Sequence, residues 1–200
     1  MEEKLFNYYL ELKGPEAGEW NSSPDNLYAE CMTRVYVRKE FAVIDGMRVC
    51  NVGIGTGDWD DYLGYWLKGK GRLTSIDIDS GICELFAYRQ KREGHPNPSE
   101  VMNRSIFDPE LPQGAFDLVT LIGSAIQEAG QFEQCLDACL GLLKPGGSLM
   151  FMANQKQSPV SRLEHYVEDR SAIMEQLERH EMFVRYPFHI STIRRGSKKQ

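Results

Sequence analysis

Short apolar runs alternate along this chain with longer amphipathic stretches. The runs Met47–Val52, Leu73–Ile76, Phe116–Ile122 and the end of Leu143–Phe151 are β-rich and mainly apolar, with one or two polar residues in each, and a weaker one lies near Val101–Asn103. Runs of this kind suit strands buried on both faces, as in a parallel sheet. Between them the apolar positions recur at helical spacing. Trp59, Leu63, Trp66 and Leu67 mark a helix over 58–68, and further helices are expected at about 81–92 and 131–143. Strands that alternate with helices imply right-handed crossovers. The predicted fold is α/β: a doubly wound, mostly parallel sheet with helices on both faces and a short N-terminal helical lid.

The ends of the chain read differently. Residues 1–12 form a predicted helix with Leu5, Phe6, Tyr9 and Leu10 on one face, and 14–19 a flexible link. Ser23-Pro24 caps a second helix whose stripe is Leu27, Tyr28, Cys31, Met32 and Val35. Residues 160–179 read as one long amphipathic helix, and 182–193 as a final strand or hairpin. The expected units are a lid at 1–44, the α/β domain at 45–193 and a basic tail at 194–200.

The first strand runs into Gly53-Ile54-Gly55-Thr56-Gly57, with glycine at every second position. Strand, glycine loop and helix together present free backbone N–H groups to a ligand. The spacing differs from the Gly-x-Gly-x-x-Gly of a dinucleotide loop, because Asp58 stands where the third glycine belongs. A carboxylate there is a poor neighbour for a diphosphate. No Gly-Lys-Ser/Thr follows, so a P-loop is excluded. The second strand ends in Asp77, 24 residues beyond Gly53. A carboxylate at that place can accept two hydrogen bonds from a ribose diol. Asp79 or Ser80 is the better N-cap for the next helix, which leaves Asp77 free for a ligand.

Phe116-Asp117-Leu118-Val119-Thr120-Leu121-Ile122 and Leu142-Leu143-Lys144-Pro145-Gly146-Gly147-Ser148-Leu149-Met150-Phe151-Met152 complete a set. With the glycine loop and Asp77, residues 45–153 resemble the class I S-adenosylmethionine-dependent methyltransferases. The resemblance implies S-adenosylmethionine as cofactor, with Gly53, Gly55 and Gly57 under its amino-acid end and Asp77 on its ribose. It also implies roles for Ile78, Ser105 and Ile106 beside the adenine and for Gly123 after the fourth strand. Two positions depart from the family pattern. Asn51 stands where many relatives carry an acid, offering an amide but no charge to the cofactor's ammonium. Ser105 stands where an aspartate often meets the adenine amine.

Composition narrows the partners. The chain has 23 basic and 29 acidic residues, a net charge of −6, which disfavours nucleic acid or an anionic membrane as partner. No apolar run approaches the roughly 20 residues of a membrane helix. Met1-Glu2-Glu3-Lys4 lacks the look of a signal peptide, so the cytoplasm is the expected compartment. The five cysteines form no CxxC pair and read as buried thiols. No His/Cys/Asp/Glu spacing indicates a metal.

The expected activity is transfer of a methyl group to an oxygen or nitrogen of a small molecule by in-line displacement. The donor is activated already, so alignment and exclusion of water are the main tasks. Glu128 and His165 are the candidate bases, and Tyr9, Trp20 and Gln127 the candidate acceptor-binding residues. Two other readings stand beside this one: a cofactor-binding subunit without turnover, and a protein or tRNA methyltransferase that docks through the basic tail.

Overall fold

The computed structural model describes residues 1–170, 172–183 and 185–194. Three helices come first: α1 (Glu2–Leu12), α2 (Pro15–Asn21) and α3 (Pro24–Glu40). The link expected at 14–19 is helix α2, which Pro15 opens at its first position. Ser23 caps α3 as its sequence suggests, its Oγ accepting the Asn26 N–H at 3.1 Å. The alternating part follows as β1 (Arg48–Val52), α4 (Asp58–Leu67), β2 (Arg72–Asp77), α5 (Ser80–Glu93), β3 (Glu100–Asn103), β4 (Phe116–Ile122), α6 (Ala125–Glu128), α7 (Phe132–Leu142) and β5 (Leu143–Asn154). The chain then adds α8 (Val160–Asp169), β6 (Ile173–His180) and β7 (Phe188–Arg194).

The long helix expected over 160–179 is therefore two elements. Helix α8 stops at Asp169, and the rest pairs as an edge strand against β7 in antiparallel register, Ile173 opposite Arg194 and His180 opposite Phe188. Cross-strand pairing overrides a helical pattern whose apolar positions, Met174 and Leu177, stay only half buried. Residues 195–200, most of the expected basic tail, lie outside the described residues.

The seven strands run in the order β3-β2-β1-β4-β5-β7-β6. Neighbours from β3 to β5 are parallel, and β7 is antiparallel to both β5 and β6. Residues of the central strands divide between the two faces, in β4 with a register shift between Phe116 and Leu118. In β4, Phe116, Val119 and Leu121 join one core with Phe132, Leu136 and Phe151. Leu118 joins the other with Leu63, Leu67, Met150 and Phe188. That second core includes Tyr36 and Val37 of α3, and the Tyr36 hydroxyl lies 2.8 Å from Thr192 Oγ1 on β7. The C-terminal half of α3 is thus part of the domain's core, although the lid was expected to extend through residue 44. Of the five cysteines, Cys31 on α3 is exposed, contrary to the expectation that all are buried.

Order reverses between β1 and β4, which sit side by side while their connections leave in opposite directions. Their carboxyl ends open the crevice where doubly wound sheets bind ligands.

Candidate active site

Three glycines shape the turn after β1, each for a different reason. Gly53 continues the sheet, its N–H donating to the Ile76 carbonyl at 2.8 Å, but it does so at φ +86°. A Cβ there would lie 2.8 Å from that of Ala125, so the bare backbone lets the loop after β4 come close. Gly55 has φ +54° and nothing within 4 Å of a Cβ, leaving an open face toward the crevice. Gly57 caps α4, and a Cβ on it would strike Phe86 and Arg89 at 2.5–2.6 Å. It serves the packing of α5 and does not line the crevice, although the sequence suggested a place beside the cofactor.

Asp77 lies directly beside this loop. Its Oδ2 accepts the Ile54 N–H at 2.8 Å and its Oδ1 accepts the Asp79 N–H at 2.9 Å. Each carboxylate oxygen keeps a second lone pair for a ligand hydroxyl. Asp79 takes the capping role, accepting from the Gly81 and Ile82 amides at 2.7 and 3.0 Å. Ile78 is 76% exposed and forms an apolar wall beside Asp77. Ser105 and Ile106 stand apart from the crevice lining: Ser105 Oγ accepts the Phe107 N–H at 3.2 Å, and Ile106 packs against the core. Gly123, at φ +76°, does line the crevice.

Beneath the loop is a buried polar chain. Trp59 Nε1 donates to Thr120 Oγ1 at 3.1 Å, and Thr120 donates to Asn51 Oδ1 at 2.8 Å. Asn51 Nδ2 donates to the Gly53 carbonyl at 2.9 Å and to both oxygens of Asp60 at 3.0 and 2.9 Å. Asp60 also accepts from Ser75. Every hydrogen-bonding group of the Asn51 side chain is used within the protein, so Asn51 supports the loop from behind rather than facing a ligand. Burial pushes the Asp60 carboxyl up to about 7, against the lowering effect of its bonds from Ser75 and Asn51.

The crevice is a cavity of about 920 Å³. One end, at β1 and β2, holds Gly53, Gly55, Asp77 and Ile78, while Gly123 sits beside β5, its N–H donating to the Met152 carbonyl at 3.0 Å. The other is walled by α3 through Asn26, Glu30 and Arg34, by Trp59, by Met152 of β5, and by Trp20 and Tyr186. Trp20 meets Tyr186 edge-on with ring centroids 4.8 Å apart. Burial raises the Tyr186 phenol pKa, so the ring is neutral near pH 7. Arg34 is paired with Glu30 at 2.9 Å. Glu128 also lines the cavity and accepts from Ser124 Oγ at 2.6 Å.

Three suggested residues fall elsewhere. His165 is on the outer face of α8, its side chain 77% exposed, 3.5 Å from Asp169. The Tyr9 hydroxyl donates to Glu93 at 2.7 Å, turned away from the crevice. The Gln127 amide lies 3.2 Å from Ser158 Oγ. Conversely, Glu30, Arg34, Trp59 and Tyr186 were missed. They come from three segments: Glu30 and Arg34 are one turn apart on α3, while Trp59 is on α4 and Tyr186 precedes β7, and no spacing in the sequence joins the three segments.

The donor set fits a nucleoside without phosphates. Asp58, Asp77, Asp79 and Glu128 line the cavity against the cations Lys13 and Arg34, a field that repels a diphosphate and favours a cationic ligand. The glycine loop, the acid at the end of β2 and the switch-point crevice define a Rossmann-like protein of the class I methyltransferase type. The comparisons with known proteins agree. The chain matches the methyltransferase domain family over residues 49–147. It is 25% identical over 117 residues to the demethylmenaquinone methyltransferase of Lactococcus lactis subsp. lactis (strain IL1403), covering 58% of this chain and 46% of that protein. It is 30% identical over 130 residues to the protein of the same name from Staphylococcus aureus (strain MRSA252), covering 64% and 52%. A solved SAM-dependent methyltransferase from Aquifex aeolicus shares the fold with a TM-score of 0.66 at 20% identity, covering 80% of this chain and 88% of that one. Residues 49–147 belong to the methyltransferase domain family, and the fold is that of the class I S-adenosylmethionine-dependent methyltransferases. The chain spans about half the length of the curated relatives it matches. No helix among the described residues is long and apolar enough to cross a membrane.

Proposed function

We propose that this protein transfers a methyl group from S-adenosylmethionine to an oxygen or nitrogen of a small molecule by in-line displacement. The observation that carries this reading is a single cavity with two chemically distinct ends. At one end Gly55 leaves bare backbone and Asp77 offers two free lone pairs for the ribose. At the other, Trp20, Trp59 and Tyr186 give flat apolar walls for an acceptor.

The bound cofactor supplies a methyl group on a positively charged sulfur, so no acid is needed to activate it. What remains for the protein is geometry. Holding nucleophile and methyl carbon at roughly 3–3.5 Å is worth several kcal/mol. The loop–Asp77 unit fixes one partner, and the Trp20–Tyr186 pair limits the rotation of the other. Glu128 is the carboxylate placed to take a proton from a hydroxyl or ammonium acceptor, with Ser124 orienting it. The acidic lining disfavours an anionic acceptor.

A second reading places the methyl on a ring carbon. The relatives named as demethylmenaquinone methyltransferases favour it. Glu128 would then remove a phenolic proton to enrich the ring. The test is a panel of phenols, amines and quinols with S-adenosylmethionine, followed by mass spectrometry of both products. An O- or N-methylated product supports the first reading and a C-methylated one the second. If the homocysteine product binds yet no acceptor class turns over, the protein is a cofactor-binding subunit instead.

A further inference from the structure

Asp60 is wholly buried, carries no partner cation among the described residues, and stands directly behind the carbonyl of the first loop glycine. One amide group joins them: the two hydrogens of Asn51 Nδ2 reach the Asp60 carboxylate on one side and the Gly53 oxygen on the other. Gly53 itself lines the cavity. A carboxylate buried without a countercharge is costly, and a cation brought near it recovers much of that cost.

We propose that Asp60 is the positioning charge for the cofactor's amino-acid end: its carboxylate, acting through Asn51 and the Gly53 carbonyl, selects ligands that carry an ammonium group. The proposal rests on the S-adenosylmethionine reading of the cavity. It also explains how a chain with an amide at position 51 keeps a negative charge beneath its loop: the charge comes from the third residue of α4 instead of from β1. The amino end of α4 suits it, since unpaired backbone N–H groups favour negative charge there.

The surroundings leave Asp60 as the group that responds. Asp61, next on the same helix, is held by Arg89 of α5 at 2.7 Å. On β1 the Cys50 thiol is pushed far up by burial and by Asp60, so it stays protonated. At the end of β2, Asp77 is tied to two backbone amides. Thr120 and Ser75, from β4 and β2, are neutral hydroxyls.

The experiment is calorimetric binding of S-adenosylhomocysteine and of its analogue in which the ammonium is replaced by hydrogen. Wild type should prefer the amino compound at least tenfold. Asp60→Asn should reduce that preference to less than threefold, with little effect on the analogue. The double variant Asn51→Asp with Asp60→Asn should restore it by moving the charge to β1. If Asp60→Asn weakens both ligands equally, or neither, Asp60 has only a structural role and the inference fails while the cofactor reading stands. If neither ligand binds wild type, both fail. Should Asp60→Asn not fold, wild type alone decides. Near pH 7 the amino compound should release protons on binding, seen as a buffer-dependent enthalpy, and the analogue should not. Equal proton release by both ligands would overturn the inference.

Discussion

The Ile54 backbone N–H donates to Asp77 Oδ2 at 2.8 Å, which makes the glycine loop after β1 and the acid at the end of β2 one structural unit. The acid shapes the glycine turn and keeps lone pairs free, which the proposed function assigns to the ribose. Asp77→Ala should therefore weaken binding of S-adenosylhomocysteine by more than the ~1.5–3 kcal/mol of one hydrogen bond to a charge. Titration calorimetry checks this, and unchanged affinity would remove Asp77 from the ribose.

The glycines should separate by experiment. Gly57→Ala forces a Cβ into Phe86 and Arg89 and should lower the thermal midpoint by several degrees. Gly55→Ala meets no atom and bears only the left-handed backbone strain, about 1–2 kcal/mol. Its deficit should appear in the ligand instead. At ~100 times the dissociation constant, S-adenosylhomocysteine adds about 2.7 kcal/mol to wild type. Gly55→Ala should lose most of that gain in a thermal-shift measurement, and Gly57→Ala should keep it.

Asp60 predicts a pH dependence of stability. Its folded pKa is about 7, above the unfolded value of about 4. Between those values the folded protein holds a proton that the unfolded chain has released, so this group's contribution falls as pH rises from about 4 to 7. Asp60→Asn removes that slope. Its thermal midpoint relative to wild type should be higher at pH 8 than at pH 4.5. A constant difference across that range would show that Asp60 does not titrate there.

The two ends of the cavity should respond to different substitutions. Trp20→Ala and Tyr186→Ala should raise the KM for the acceptor tenfold or more while leaving S-adenosylhomocysteine affinity within a factor of two. Glu128→Gln should lower kcat. His165→Ala and Tyr9→Phe should leave both parameters unchanged, because both side chains face away from the cavity. Steady-state kinetics on the identified acceptor tests all five.

How much of this was legible beforehand depends on the range of the interaction. The strand–loop–helix at Gly53–Gly57, the capping Asp79 and the acid Asp77 are local features. Backbone dihedrals and short apolar runs fix them, so the residue order alone was sufficient. The residues named from that order for the cofactor end line the crevice, apart from Asn51, Gly57, Ser105 and Ile106. Asn51 differs because its surroundings are set by Asp60, Ser75 and Thr120, which arrive from three other elements. The split of 160–179 into α8 and β6 differs because pairing with β7, a partner distant in sequence, decided it.

The sequence determined the doubly wound α/β class, the glycine turn and the acid that ends β2, since each rests on neighbours along the chain. Tertiary structure decided which side chains meet at the crevice: Trp20 with Tyr186, Trp59 with Thr120, and Asp60 behind Gly53. Those pairings depend on how helices from both ends of the chain pack over the sheet. That packing buries apolar surface whose match is set in three dimensions and leaves no periodic trace in one.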